Sequence, residues 1–255
     1  MADPVVDLLK AHLRQLRLPT MGREFEKLAR DAAGSNQNYL QFLLRLTELE
    51  LGTRAANAVA ARIRNAGFPV LKDFDTFDFT ALPQLPKPKV LELARCEWIE
   101  RKYNCCLVGT QGTGKTHVAV ALGQAACRNG LRVCFFTAAE LVSQLEKAQK
   151  QYTLDRFLAQ LDRAHLLICD ELGYVSFSRG GVELLFRVFG DRYERGSVLV
   201  TSNLPFGEWG QIFQGERMTG ALLDRLTHHC HIFEMNGESY RFRESMKQKK
   251  GRKAG

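Results

Sequence analysis

At 255 residues the chain exceeds the usual size of one compact core, so one full domain with a smaller appendage is expected rather than two equal domains. With 45% hydrophobic and 25% charged residues, it falls outside the disordered and membrane-embedded classes. No apolar run approaches the roughly 18 residues of a membrane span, and Met1-Ala2-Asp3-Pro4 lacks the basic-then-apolar order of a secretory signal; a cytoplasmic address is expected, with no membrane partner.

Residues 4–66 carry apolar positions at helical spacing, in Val5-Val6-Leu8-Leu9 and again from Tyr39 to Leu51. Breaks at Leu18-Pro19-Thr20 and Gly34-Ser35-Asn36 divide the run into three helices ending at Gly67-Phe68-Pro69, a helical domain over 1–68. Arg54, Arg62 and Arg64 on these helices are either phosphate contacts or solvated side chains. Phe74-Asp75-Thr76-Phe77-Asp78-Phe79, followed by Pro83, Pro86 and Pro88, cannot continue a helix, so 69–88 reads as a linker with packed aromatics. Phe74 and Phe77 are candidate walls for a nucleotide base.

Over 89–240 a helix at about 88–101 is followed by apolar runs at Cys105–Gly109, Val133–Thr137, Leu166–Asp170, Val198–Ser202 and His231–Glu234, with helical stretches between most of them. Short buried strands separated by helices predict an α/β domain whose parallel sheet is covered on both faces. The seven cysteines form no Cys-x-x-Cys pair and read as reduced, apolar thiols. Residues 241–255 are a basic tail; from 237 onward seven Lys or Arg stand against Glu238 and Glu244, a sign that suits either solubility or DNA.

Gly109-Thr110-Gln111-Gly112-Thr113-Gly114-Lys115-Thr116 matches Gly-x-x-x-x-Gly-Lys-Ser/Thr in full. Gly109, Gln111, Gly112, Thr113 and Gly114 form a curled loop whose amides face a phosphate, and the helix that follows, with His117 in its first turn, adds its positive end. Lys115 is placed for the β and γ phosphates of ATP and Thr116 for Mg²⁺. Leu166-Leu167-Ile168-Cys169 ends in Asp170-Glu171, so Asp170 is the second candidate around Mg²⁺ and Glu171 the residue that polarises water. Asn203, after Val198–Ser202, is a candidate sensor of the γ-phosphate. Arg225 reads as an arginine finger for a neighbouring subunit, which implies a homo-oligomer. The alternative at this block is a zinc site built from His228, His229, Cys230 and His231, although tetrahedral sites usually draw on separated pairs.

These motifs, with Asp73-Phe74-Asp75, Asp170-Glu171-Leu172-Gly173-Tyr174, Thr201-Ser202-Asn203, Asp224-Arg225-Leu226 and Gly237-x-Ser239-Tyr240-Arg241, resemble the IstB family of ATP-binding helpers of insertion sequences over nearly the entire chain. The resemblance implies a P-loop NTPase of the AAA+ (ASCE) type that assembles on duplex DNA, deforms it and delivers or activates a transposase. It also implies added helical material at Ala138–Leu161, with Lys147, Lys150 and Arg156 as candidate DNA contacts. Thirty residues follow Arg225, too few for the usual helical lid, leaving Arg241 or Arg243 as stand-ins for a second sensor. DnaC-type helicase loaders, close relatives, share the phosphate loop, the Asp170-Glu171 pair, the sensor and the trans arginine, so a loader is the nearest alternative; a small-molecule kinase is a more distant one.

Overall fold

A computed structural model describes residues 3–213, 215–240 and 242–243; Arg241 and residues 244–255 of the basic tail lie outside them. The chain divides into two compact units, Met1–Ala61 and Arg62–Gly255, with the division falling inside a long helix.

The first unit holds α1 (Pro4–Gln15), α2 (Pro19–Gly34) and most of α3 (Tyr39–Ala66). Asp3 starts α1 by accepting the Val5 amide at 2.9 Å, and proline opens both α1 and α2, where no amide hydrogen is needed. Leu13, Met21, Phe25, Leu28 and Leu46 form its small core.

The second unit continues with α4 (Lys87–Leu93), α5 (Glu97–Glu100), β1 (Asn104–Val108), α6 (Lys115–Arg128), β2 (Val133–Thr137), α7 (Ala138–Lys150), α8 (Leu154–Asp162), β3 (Leu166–Leu172), α9 (Arg179–Arg192), β4 (Ser197–Ser202), α10 (Gly210–Phe213), α11 (Glu216–Thr227) and β5 (Cys230–Glu234). The described strands form one parallel sheet in the order β2-β3-β4-β1-β5. Strand residues alternate between its faces: Cys105, Leu107, Leu166, Ile168 and Leu199 enter one core, while Cys106, Val108, Leu167, Cys169, Val198 and Val200 enter the other. Among the described residues, no helix is long and apolar enough to cross a membrane.

Two expectations change. The helix expected at 88–101 is broken at Cys96, whose φ of 67° turns the chain so that Trp98 and Ile99 drop into the core and the Trp98 indole N–H reaches the Leu93 carbonyl at 2.9 Å. β3 does not stop at Asp170 but continues to Leu172 through a register shift against β4. Both candidate carboxylates therefore sit within the sheet, at an irregularity, rather than in a loop beyond it.

Candidate active site

β1 delivers the chain to Gly109, and α6 begins at Lys115. Between them Gly112 (φ 76°) and Gly114 (φ 94°) adopt left-handed backbone that only glycine enters freely. Gly114 caps α6 without a side chain, so the first-turn amides keep their donors for whatever occupies the loop. The Lys115 ammonium lies along the loop, donating to the Gly109 carbonyl at 2.7 Å and the Thr110 carbonyl at 2.6 Å. Thr113 Oγ1 also donates to Thr110 O at 2.9 Å, and Gln111 is exposed.

Two segments brace this loop. From the N-terminal side, the Asp73 carbonyl meets His117 Nε2 at 2.7 Å, and Phe77 stands edge-on to the His117 ring with centroids 5.1 Å apart. Phe77 also closes over Gly114, where an added Cβ would lie 2.7 Å from its ring. Phe74 and Phe77 are partly buried against the core. From the other side, the chain after β5 is laced on as a strap: Thr110 Oγ1 donates to Gly237 O at 2.8 Å, Tyr240 N donates to Gly112 O at 3.0 Å, and Met235 N donates to Val108 O at 2.7 Å. A Cβ on Gly112 would fall 2.2 Å from Ser239 Oγ.

β4 lies between β1 and β3, which sets the loop, Asn203 and the carboxylates side by side at one end of the sheet. Thr116 Oγ1 lies 3.1 and 3.0 Å from the two carboxylate oxygens of Asp170, which is only 3% exposed. Burial pushes the Asp170 carboxyl above its ordinary range; hydrogen bonds from Thr201, Thr116 and the Glu171 amide, and the charge of Lys115, oppose that rise without cancelling it. Glu171 has a left-handed φ of 60° and an exposed side chain. Asn203 Oδ1 is buried with no hydrogen-bond partner among the described residues. An oxygen-only pair, Thr116 and Asp170, suits a hard cation such as Mg²⁺, and the unpaired amide oxygen suits a donor such as water.

The other candidates lie elsewhere. Asn104 Nδ2 at the start of β1 donates to the Leu226 carbonyl at 3.0 Å, which places Arg225 at the end of the sheet opposite the loop. Its guanidinium lies over the Phe186 ring at 5.8 Å. Lys147 and Lys150 on α7 and Arg156 on α8 are exposed. Arg54 is held by Glu50 at 2.9 Å and Arg62 by the Cys127 carbonyl at 2.7 Å, whereas Arg64 is exposed. Among the described residues no group of three or more His, Cys, Asp or Glu could hold a metal ion, the His228–His231 block included; His229 stacks on Tyr103 (4.8 Å) and His228 Nδ1 meets Tyr193 OH at 3.0 Å. Arg243 lies over the Tyr240 ring at 5.9 Å. Thr201 has no role of its own in the motif Thr201-Ser202-Asn203, where Asn203 alone is the candidate; its signals in the sequence are its place in that motif and a hydroxyl in an apolar run.

This strand order, with the phosphate loop after β1 and the Asp-Glu pair one strand removed, defines a P-loop fold of the AAA+ kind. It is similar to AMPPCP-bound DnaA from Aquifex aeolicus (TM-score 0.56, 20% identity, 71% of this chain and 56% of that one) and to DnaI (TM-score 0.51, 17% identity, 66% and 89%). Residues 11–248 match the model of the IstB-like ATP binding protein family, and the chain belongs to that family. Relatives named for ATP binding in insertion sequences include one from IS5376 of Geobacillus stearothermophilus (38% identical, 95% of this chain and 96% of the relative) and one from IS21 of Pseudomonas aeruginosa (38%, 94% and 90%).

Proposed function

We propose that this chain is a Mg²⁺-dependent ATPase that oligomerises on duplex DNA and acts as a transposition helper, preparing the target and recruiting or activating a transposase. The observation that carries the ATPase reading is the contact of Thr116 with Asp170 beside the loop, with Glu171 next along β3 and Asn203 just past the end of the neighbouring β4. In it, the amides of Gly109–Thr116 and the start of α6 bind the phosphates, with Gln111 at the exposed tip and Lys115 adding its charge. Thr116 and Asp170 would hold magnesium, which neutralises charge on the phosphates. Glu171 takes the water proton, and Asn203 Oδ1 orients that water by accepting its second hydrogen.

Arg225 cannot serve its own loop, because the five residues of β1 separate them by roughly 16 Å along the sheet. Its use in a neighbour's site requires an oligomer. Lys147, Lys150 and Arg156 supply phosphate contacts of little sequence preference, as target capture needs. We assign residues 1–68 as the helical part, 69–88 as the linker that braces the loop through Asp73 and Phe77, 89–240 as the ATPase region and 241–255 as the tail. The names of the relatives place them in insertion sequences, which favours the helper over a helicase loader, a reading that rests on shared motifs and likeness of fold.

The test is the ATPase rate with and without duplex DNA, with the assembled mass measured in ATP. DNA is expected to raise both, Lys115→Ala to abolish nucleotide binding, and Glu171→Gln to retain ATP without turnover. A rate and a mass that ignore DNA would reject the helper reading and favour a solitary nucleotide enzyme.

A further inference from the structure

β3 and β4 pair in register from Leu166↔Ser197 to Cys169↔Val200, and the ladder resumes at Leu172↔Ser202. Three steps along β3 thus face two along β4, with Asp170 and Glu171 inside the interruption. Such a bulge frees backbone groups that, in the middle of a buried sheet, need new partners. Here β4 supplies them from side chains. Thr201 Oγ1 accepts the Glu171 N–H at 2.9 Å and donates its own hydrogen to Asp170 Oδ1; Ser202 Oγ donates to the Leu172 carbonyl at 2.7 Å. Both hydroxyls are buried, Thr201 at 1% exposure. The next residue is Asn203, with its unpartnered amide oxygen.

We infer that Thr201 is a positioning residue: its single hydroxyl fixes both the Asp170 carboxylate and the Glu171 backbone, holding open the bulge that aims the two carboxylates. The two halves of that hydroxyl are used by adjacent residues with different tasks, so neither can reorient without disturbing the other. Because Asn203 follows directly on the end of β4, two residues beyond Thr201, a shift of Asn203 on nucleotide hydrolysis would be carried back through β4 to the carboxylates. The catalytic part of this inference rests on the ATPase reading above; the clamp itself does not.

The experiment compares Thr201→Val, which keeps the branched shape but neither donates nor accepts, with Thr201→Ser, which restores the hydroxyl. Amide hydrogen exchange over 169–173 without nucleotide is expected to quicken about tenfold in Thr201→Val and to return to the parental rate in Thr201→Ser. Binding of a fluorescent ATP analogue should stay within about threefold of the parent, while kcat falls about tenfold or more and the half-saturating Mg²⁺ concentration rises, again restored by serine. Parental exchange in Thr201→Val, or a kcat within about twofold of the parent, overturns the inference. If the parent hydrolyses no ATP, the ATPase reading fails while the exchange comparison still decides the clamp. Should Thr201→Val lose cooperative melting, Thr201→Cys, a weak hydrogen-bonder of serine's size, replaces it in the comparison.

Discussion

Asp170 shows what a site of this kind demands of the fold. Its carboxyl is raised by burial above the ordinary value of 3.8, and for such an acid the folded chain holds more protons than the unfolded one between those two values. The stability it contributes is complete below pH 3.8 and is lost as pH climbs through the raised value, so at neutral pH the charged group weighs against folding. Asp170→Asn should therefore stabilise the nucleotide-free protein by about 1 kcal/mol at pH 7, a rise of about 2–4 °C in melting temperature. Calorimetry should show the gain shrinking as pH is lowered towards 3.8; a variant that melts no higher than the parent at pH 7 contradicts this account. Asp170 and its neighbours in the candidate site were legible in sequence because each belongs to a local pattern: a glycine-framed lysine, or a polar residue ending an apolar run. Thr201 was not, since its role exists only through a bulge in another strand 30 positions away.

Among the elements, α2 depends on α3 for its start. Leu18 precedes it and offers no side-chain cap, so the Thr20 and Met21 amides donate to Glu50 Oε2 at 2.8 and 2.9 Å, while Arg54 pairs with Oε1. Burial raises the Glu50 carboxyl, but the Met21 amide, Arg54 and the Thr20 amide together bring it below its ordinary 4.5. Its contribution is thus present above pH 4.5 and lost as pH falls through the lowered value. Glu50→Ala is expected to cost the N-terminal helices about 1–3 kcal/mol, read from urea unfolding followed by helicity at pH 7, with the difference narrowing in acid. An unchanged urea midpoint would dismiss the cap. Helix ends marked by Pro19 or by Gly34-Ser35-Asn36 were readable, whereas those at Cys96 and Tyr152 were not: both residues take left-handed backbone (φ 67° and 57°) without glycine or proline to announce it. The continuation of β3 past two carboxylates was hidden for a similar reason, because hydroxyls from β4 supply the partners that make it possible.

For the molecule as a whole, the parallel sheet and its two apolar faces followed from the alternation of short apolar runs and helices, but the order of the strands is a matter of long-range pairing that no local pattern records. That order puts Arg225 and the phosphate loop at opposite ends of β1. Subunits carrying Arg225→Ala and subunits carrying Glu171→Gln should each lose about 10³-fold or more in rate, and mixing them should restore part of it, since some mixed interfaces pair an intact glutamate with an intact arginine. Mixtures that stay inactive after subunit exchange has been verified by mass would exclude the trans arginine. The strap has a consequence for how such a protein comes into being. Thr110 and Gly112 are tied to Gly237 and Tyr240, and Thr110 is 127 positions from its partner. On the ribosome, the glycines of the loop therefore emerge long before the backbone that braces them, and the growing polypeptide must pass residue 240 before its phosphate cradle can take its final form.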